Sequence, residues 1–150
     1  MSVITTDVLV EGVKRTDVLD WLANPDNHNR MLEGAFDGLT RTGDQSWELT
    51  LNIAPKKRVM GYTFIELDQS HGGRRVICKT SGKRTSGSLH FSLRTMRPSN
   101  NTLVTLHSDY APGSVLGELL DVLVLRKALE SRWKRVLDNL SREVAKDFDA

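Results

Sequence analysis

Residues 129–144 read LESRWKRVLDNLSREV, and their apolar side chains recur at i, i+4, i+7, i+8, i+11 and i+15. This spacing places one stripe on one face of an amphipathic helix, which buries the stripe against a single surface. The stripe consists of Leu129, Trp133, Val136, Leu137, Leu140 and Val144. We therefore predict a long C-terminal helix, from near Ser114 to near Lys146, with Trp133 and Leu137 packed against the rest of the chain.

Upstream of this helix the apolar pattern has a period of two residues, which is typical of β-strands. The clearest case is WELTLNI at residues 47–53, where the apolar side chains share one face. Those side chains are Trp47, Leu49, Leu51 and Ile53. Between residues 36 and 111, turn residues separate several such runs, and short turns join antiparallel neighbours. We predict an α+β fold in which six or seven antiparallel strands curve around the C-terminal helix.

The N-terminal part of the chain predicts one strand followed by two short helices. Residues 4–10 alternate as a strand does, and Thr16 has the residue type of a helix N-cap. The residue before Pro25 is pushed out of helical geometry, so the first helix is expected to end there. Residues 26–32 would add another turn or two of helix.

Residues 115–125 differ from the later part of the helix, because their apolar side chains point nearly all round the axis. An exposed apolar patch of that size is rarely left bare on a monomer. We expect the segment Val115–Leu125 to guard the mouth of a pocket or to form a homodimer contact. A straight helix over 114–146 would be about 50 Å long, so we also expect a bend or break near residues 117–126.

Length, composition and cysteine content limit the class of protein. The 150 residues, with 39% hydrophobic and 27% charged side chains, suit one globular domain over residues 1–150. No apolar run reaches the roughly 20 residues of a membrane span, and the first residues lack the pattern of a signal peptide. A lone Cys78 excludes an internal disulfide. We therefore expect a cytoplasmic protein.

The net charge of +2 is unevenly distributed along the chain. Residues 56–97 contain ten basic and two acidic side chains, a local charge of +8, whereas the other eleven basic and seventeen acidic ones sum to −6. Such asymmetry can mark an anionic partner, although solvated charges on outer strand faces are the simpler interpretation. Exposed aromatic residues for base stacking are not interleaved with the basic ones. Binding to nucleic acid or to an anionic membrane is therefore the weaker expectation.

The order of strand, two short helices, strand meander and long C-terminal helix resembles the START-like (SRPBCC) superfamily, which has the helix-grip fold of the Bet v 1-like allergens. TDVLDWLANPD at 16–26 is similar to the family's first helix and the turn that ends it. Residues 89–93 and 102–106 are similar to its last two strands, and residues 111–126 to the start of its long helix. Met31 departs from the pattern, because many bacterial members carry a tryptophan there.

The resemblance implies a cavity between the concave sheet face and the C-terminal helix, holding a lipid, a polyketide, a quinone or another apolar molecule. The family includes lipid-transport and polyketide cyclase/dehydrase proteins. The side chains expected to form the cavity wall are Trp47, Leu49, Leu51, Met60, Tyr62, Phe64, Val76, Cys78, Phe91, Leu106, Tyr110, Leu116 and Leu120. The register of the strand over residues 59–67 stays open, because both of its faces are apolar and Val59, Thr63 and Ile65 could face inward instead.

No pattern indicates a metal, a cofactor or a catalytic group. The four histidines, at positions 28, 71, 90 and 107, lack the spacing of metal ligands with one another or with Cys78. No glycine-rich loop leads into a helix as a phosphate-binding loop would. Cys78 lies on the apolar side of its strand, and the sequence shows no base beside it.

Three functions remain open at this point. The first is a carrier or sensor of an apolar small molecule, which needs only a lined pocket. The second is an adaptor that uses the basic strands to meet RNA, a ribosome, a chaperone or an anionic membrane. The third is a cyclase, aromatase or dehydratase, for which the inward-facing positions look sparse in polar groups.

Overall fold

A computed structural model describes residues 2–53, 56–68, 75–82, 85–98, 100–110 and 119–148. Its elements follow one another as one strand, two short helices, six strands and one long helix. In chain order they are β1 (Ser2–Val10), α1 (Arg15–Leu22), α2 (Pro25–Leu32), β2 (Gly38–Gly43), β3 (Ser46–Ile53), β4 (Lys56–Asp68), β5 (Arg75–Gly82), β6 (Thr85–Met96), β7 (Asn101–Tyr110) and α3 (Leu119–Phe148).

The strands form one antiparallel, curved sheet in the order β1-β7-β6-β5-β4-β3-β2. The meander from β2 to β7 pairs each strand with the next, and β1 closes onto β7 at the far edge. Because side chains alternate between the faces of a sheet, every second residue of β5 and of β7 is buried on the concave side, from Val76 to Thr80 and from Thr102 to Ser108. The prediction of six or seven antiparallel strands is confirmed.

Helix α3 packs against β1 and α2, with further contacts to β3 and β7. The stripe predicted from the sequence is buried along its whole length, and the Trp133 ring lies 6.3 Å from the Tyr62 ring, centroid to centroid. The predicted packing of Trp133 and Leu137 against the sheet is therefore confirmed. Of the expected bend or break near residues 117–126, a break does not occur within residues 119–126, because α3 is continuous from Leu119; residues 117 and 118 lie outside the described residues.

The register of β4 settles the ambiguity of residues 59–67. Tyr62 and Phe64 are buried and Met60 is half-buried, whereas Val59 and Ile65 are 46% and 42% exposed. The β4–β5 pairing shifts between Phe64 and Glu66, which indicates a bulge at Ile65. The extra residue shifts the alternation, so that Glu66 is exposed like Ile65 and Leu67 pairs with the buried Val76.

The predicted N-cap at Thr16 is wrong. Helix α1 begins at Arg15, its cap residue Lys14 is extended, and no side chain there makes a capping hydrogen bond. Val18 and Leu22 of this helix are fully buried, and tertiary packing of this kind can outweigh a local sequence preference. Asn24 supplies the cap of α2 instead, because its Oδ1 accepts from the Asp26 backbone N–H at 3.0 Å.

Within the described residues, none of the helices is both long and apolar enough to cross a membrane.

Candidate functional site

The centre of the concave face is occupied by a histidine. Helix α2 directs His28, Met31 and Leu32 inward at the spacing i, i+3 and i+4, and all three side chains are fully buried. The rings of Trp47, Phe64 and Phe91 surround the imidazole, with centroid distances of 6.1, 4.9 and 6.4 Å. The candidate site is therefore a polar group inside an aromatic enclosure on the inner face of the sheet.

The partners of His28 determine which atom donates in each of its hydrogen bonds. Nε2 lies 2.7 Å from the carbonyl oxygen of Leu22, which can only accept, so Nε2 carries the hydrogen. Nδ1 of the neutral ring is then an acceptor, and the Tyr62 hydroxyl, 2.8 Å away, donates to it. Because that hydroxyl has one proton, the Cys78 thiol at 3.3 Å donates to the Tyr62 oxygen. We call His28, Tyr62 and Cys78 the buried polar chain.

Burial keeps all three groups of this chain neutral. Desolvation lowers the pKa of His28 from 6.5 to about 4, against an opposing effect of its hydrogen bond to the Leu22 carbonyl. Desolvation also raises the pKa of Tyr62 well above its ordinary value and that of the Cys78 thiol to about 12. At neutral pH the buried polar chain consists of three uncharged groups that hydrogen-bond with one another, and none of them is poised to exchange a proton.

Two other inward-facing groups lack the partners that the buried polar chain has. Arg58 lies on the same side of β4 as Met60 and Tyr62, opposite Leu51 of β3, and is half-buried. Within the described parts of the chain, its Nε is buried without a hydrogen-bond partner, and so is Nε1 of Trp133. Both atoms are hydrogen-bond donors. The inner face therefore presents donors that the described side chains and backbone do not satisfy.

Two buried hydroxyl residues belong to strands β5 and β7. Thr80 of β5 pairs with Tyr62 of β4, and Ser108 of β7 pairs with Leu89 of β6; both are less than 9% exposed. The concave face is thus richer in polar groups than the sequence suggested.

The predicted wall residues divide into three groups. Nine are buried in one core cluster: Trp47, Leu49, Leu51, Tyr62, Phe64, Val76, Cys78, Phe91 and Leu106. Met60 is half-buried and packs against that cluster. Leu116 lies outside the described residues, and for Tyr110 and Leu120 the structure describes the backbone alone.

Sequence reasoning missed His28, Arg58 and the indole N–H of Trp133. The signal for His28 was present, because residues 28, 31 and 32 form one face of a short helix whose other positions are polar. Arg58 was counted among the basic residues of strands, yet it shares the parity of Met60 and Tyr62. His28 could have been assigned to the inner face from spacing alone, whereas the assignment of Arg58 depended on the register of β4, which the sequence left open.

The basic stretch, residues 56–97, is divided between environments. Lys57, Lys79, Arg94 and Arg97 are exposed, whereas Arg75 forms an ion pair with Asp68 at 2.7 Å. On the convex face, His90 and His107 stack with their ring centroids 4.6 Å apart. No group of three or more potential metal ligands occurs within the described ranges.

The C-terminal end of α3 is fixed to the first two helices. Arg30 contacts both carboxylate oxygens of Asp147, at 2.6 and 3.1 Å, and Trp21 Nε1 donates to the same carboxylate at 2.8 Å. The Arg30 guanidinium also lies 5.4 Å from the centre of the Trp21 ring. A groove of about 410 Å³ lies nearby, between residues 9–13 and the last turns of α3, and it contains none of the predicted wall residues.

No protein-family model and no curated protein matches the chain. Solved structures do, although their sequences are only distantly similar. The Zhui aromatase/cyclase from a Streptomyces species is 14% identical, with a TM-score of 0.70 over 99% of this chain and 96% of that one. Norcoclaurine synthase from Thalictrum flavum is 15% identical, with a TM-score of 0.65 over 97% and 87%. A START superfamily protein from Mycobacterium smegmatis is 11% identical, with a TM-score of 0.62 over 96% and 97%.

The TM-scores, over nearly the whole of this chain, indicate that these proteins have the same overall fold as the one described above. At such low identity the likeness shows the fold alone, and the chain therefore has a helix-grip fold, which it shares with these structures.

Proposed function

We propose that the chain binds an apolar small molecule between the concave face of the sheet and helix α3. The observation that carries this proposal is the composition of the inner face, where a few polar groups lie among aromatic and aliphatic side chains. Small-molecule sites have this composition, with apolar surface for affinity and sparse polar groups for orientation. A lipid, a polyketide or a quinone-like molecule would suit it.

The electrostatics of the buried polar chain favour binding over catalysis. A histidine with a pKa of about 4 is a weak base, and burial makes the Tyr62 hydroxyl and the Cys78 thiol weak acids. General acid–base catalysts work best with a pKa near the operating pH. The related aromatase/cyclase and synthase support a cyclase-type enzyme as the second candidate, but the protonation states favour a carrier or sensor.

A neutral environment-sensitive dye such as Nile red tests the proposal directly. Burial of about 200 Å² of apolar surface would contribute on the order of 5 kcal/mol before association costs, so we expect micromolar or weaker affinity with about one site. Native mass spectrometry of the purified protein would show whether a small molecule accompanies it. Absence of dye binding by correctly folded protein would refute the proposal.

Paired variants locate the bound dye. Leu51→Arg places a charge at a position that is 2% exposed and should abolish binding, because an unpaired buried charge is costly. Val59→Arg makes the same kind of change on the exposed face of the neighbouring strand and should leave binding intact. If Leu51→Arg does not fold, Met60→Gln supplies the test, since Met60 is only half-buried and the substitution keeps side-chain length.

The segment Val115–Leu125 remains a proposed cover for the pocket or a homodimer contact. Its described side chains are Val124, which is 48% exposed, and Leu125, which is half-buried. Leu119→Glu should either speed the exchange of bound dye or convert a dimer to a monomer in sedimentation velocity. A folded variant with neither change would contradict both roles.

A further inference from the structure

Arg58 faces the side of the sheet opposite to that of Lys57, the charged residue next to it in β4. Lys57, its neighbour in sequence, is exposed on the convex side, whereas Arg58 is half-buried on the concave side opposite Leu51. No residue in the described parts of the chain accepts a hydrogen bond from its buried Nε. A guanidinium Nε that is buried without an acceptor carries a desolvation cost that a hydrogen-bonded anion would offset.

A second buried donor without a partner lies on helix α3, and it also calls for an acceptor from a ligand. Trp133 Nε1 is buried without a partner, and its ring lies 6.3 Å from that of Tyr62, which is four residues from Arg58 on the same side of β4. A molecule that satisfies these groups must bring acceptors. The buried polar chain needs no acceptor from a bound molecule, because its hydrogen bonds are already made within the protein.

We propose that Arg58 selects the ligand of the pocket, and that this ligand is an amphipathic acid with an apolar body and a carboxylate head. This inference rests on the proposed function, since it assigns a head group to the same bound molecule. A carboxylate matches the planar donor geometry of arginine. It also carries a single charge, which is less costly to remove from water than the double charge of a phosphate monoester.

The experiment compares decanoate with 1-decanol, which share an apolar chain and differ in the charged head. Each displaces Nile red from the protein at pH 7.5 and low ionic strength. We expect the wild-type protein to bind decanoate about ten-fold more tightly than decanol, as hydrogen bonds to charged groups allow. Arg58→Gln should lose that preference by weakening decanoate, with decanol unchanged within about two-fold.

Lys57→Gln is the matched control, because it removes the same charge from the adjacent residue on the opposite face. It should retain the preference for the acid. Equal affinity of wild type for decanoate and decanol would overturn the inference while leaving apolar binding intact. An equal loss of decanoate affinity in Lys57→Gln would also overturn it, since general surface attraction would then explain the preference. Failure of Nile red and both competitors to bind would refute the proposed function and this inference together.

Discussion

Two sets of polar groups share the concave face, and they differ in how fully they are paired. In the buried polar chain every hydrogen-bonding atom of His28 has a partner within 2.8 Å. Arg58 and Trp133 each keep a buried donor that no described residue satisfies. A paired group belongs to the folding of the core, whereas an unpaired donor costs stability in the free protein and suits recognition of another molecule.

The comparison predicts that substitutions in the buried polar chain lower the free energy of unfolding, whereas replacement of Arg58 raises it. The largest loss should follow removal of the His28 imidazole. His28→Ala leaves the Tyr62 hydroxyl without its acceptor and the Leu22 carbonyl without its donor, and it opens a cavity. We expect the free energy of unfolding to fall by about 3–5 kcal/mol in urea titrations. His107→Ala, on the convex face, is the control and should cost under about 1 kcal/mol; equal losses would remove the special role of His28.

The pH dependence of stability should be the next largest effect. Unfolded His28 takes up a proton near pH 6.5, but folded His28 does so only at about pH 4, so unfolding takes up a proton between those values. Stability should therefore be highest above pH 6.5 and decline by about 3 kcal/mol as the pH falls to 4.

Unfolding measured at several pH values in wild type and in His28→Gln isolates this contribution. The variant should be less stable at pH 7 and should vary less across the window. Its remaining slope comes from His90, whose pKa burial also lowers, and, near pH 4, from the carboxyl groups of Asp37, Glu143 and Asp147, whose pKa values hydrogen bonds lower. A wild-type profile parallel to that of the variant would show that His28 does not carry the dependence.

Removal of the central hydroxyl should have a smaller effect than loss of the histidine. Tyr62→Phe preserves the ring that packs against Trp47 and Trp133 but leaves Nδ1 of His28 without its donor. We expect a loss of about 1–2 kcal/mol in the free energy of unfolding. An unchanged denaturation midpoint would indicate that the bond between the two side chains contributes nothing net.

The smallest effect should be a gain in the free energy of unfolding rather than a loss. Arg58→Met replaces a half-buried arginine, whose Nε has no partner among the described residues, with a shorter apolar side chain, and we expect a gain of about 1 kcal/mol in the ligand-free protein. Lys57→Met should stay within about 0.5 kcal/mol of wild type. A clear loss of stability in Arg58→Met would mean that the arginine already has a stabilising partner.

The sequence predicted the framework well, because alternation and helical periodicity report burial directly. Trp47, Leu49 and Leu51 are buried as their spacing requires, and the stripe that includes Trp133 packs against the sheet. The strand over residues 59–67 resisted prediction because both of its faces are apolar. The bulge at Ile65 then shifts the alternation of the residues after Phe64, a feature of the pairing with β5 that composition does not encode.

The polar part of the site was harder to predict for a different reason. His28 lies in a mostly polar helix, and its role arises only when α2 folds onto strands more than thirty residues away in sequence, where Tyr62 and Cys78 complete its hydrogen bonds. The orphaned donors of Arg58 and Trp133 depend on the absence of acceptors around them in the described structure. Neither the hydrogen bonds of His28 nor the lack of partners for the two donors can be recognised from the local sequence.

The buried thiol gives the protein a built-in reporter of its own motions. Cys78 is the only cysteine of the chain, and its side chain is fully buried with a pKa of about 12. Because the thiolate is the reactive form, a water-soluble thiol reagent can modify it only when the interface between sheet and helices opens. The rate of labelling in native buffer therefore measures how often the core opens, without any engineered probe, and a molecule bound against this face would be detected as a slower rate.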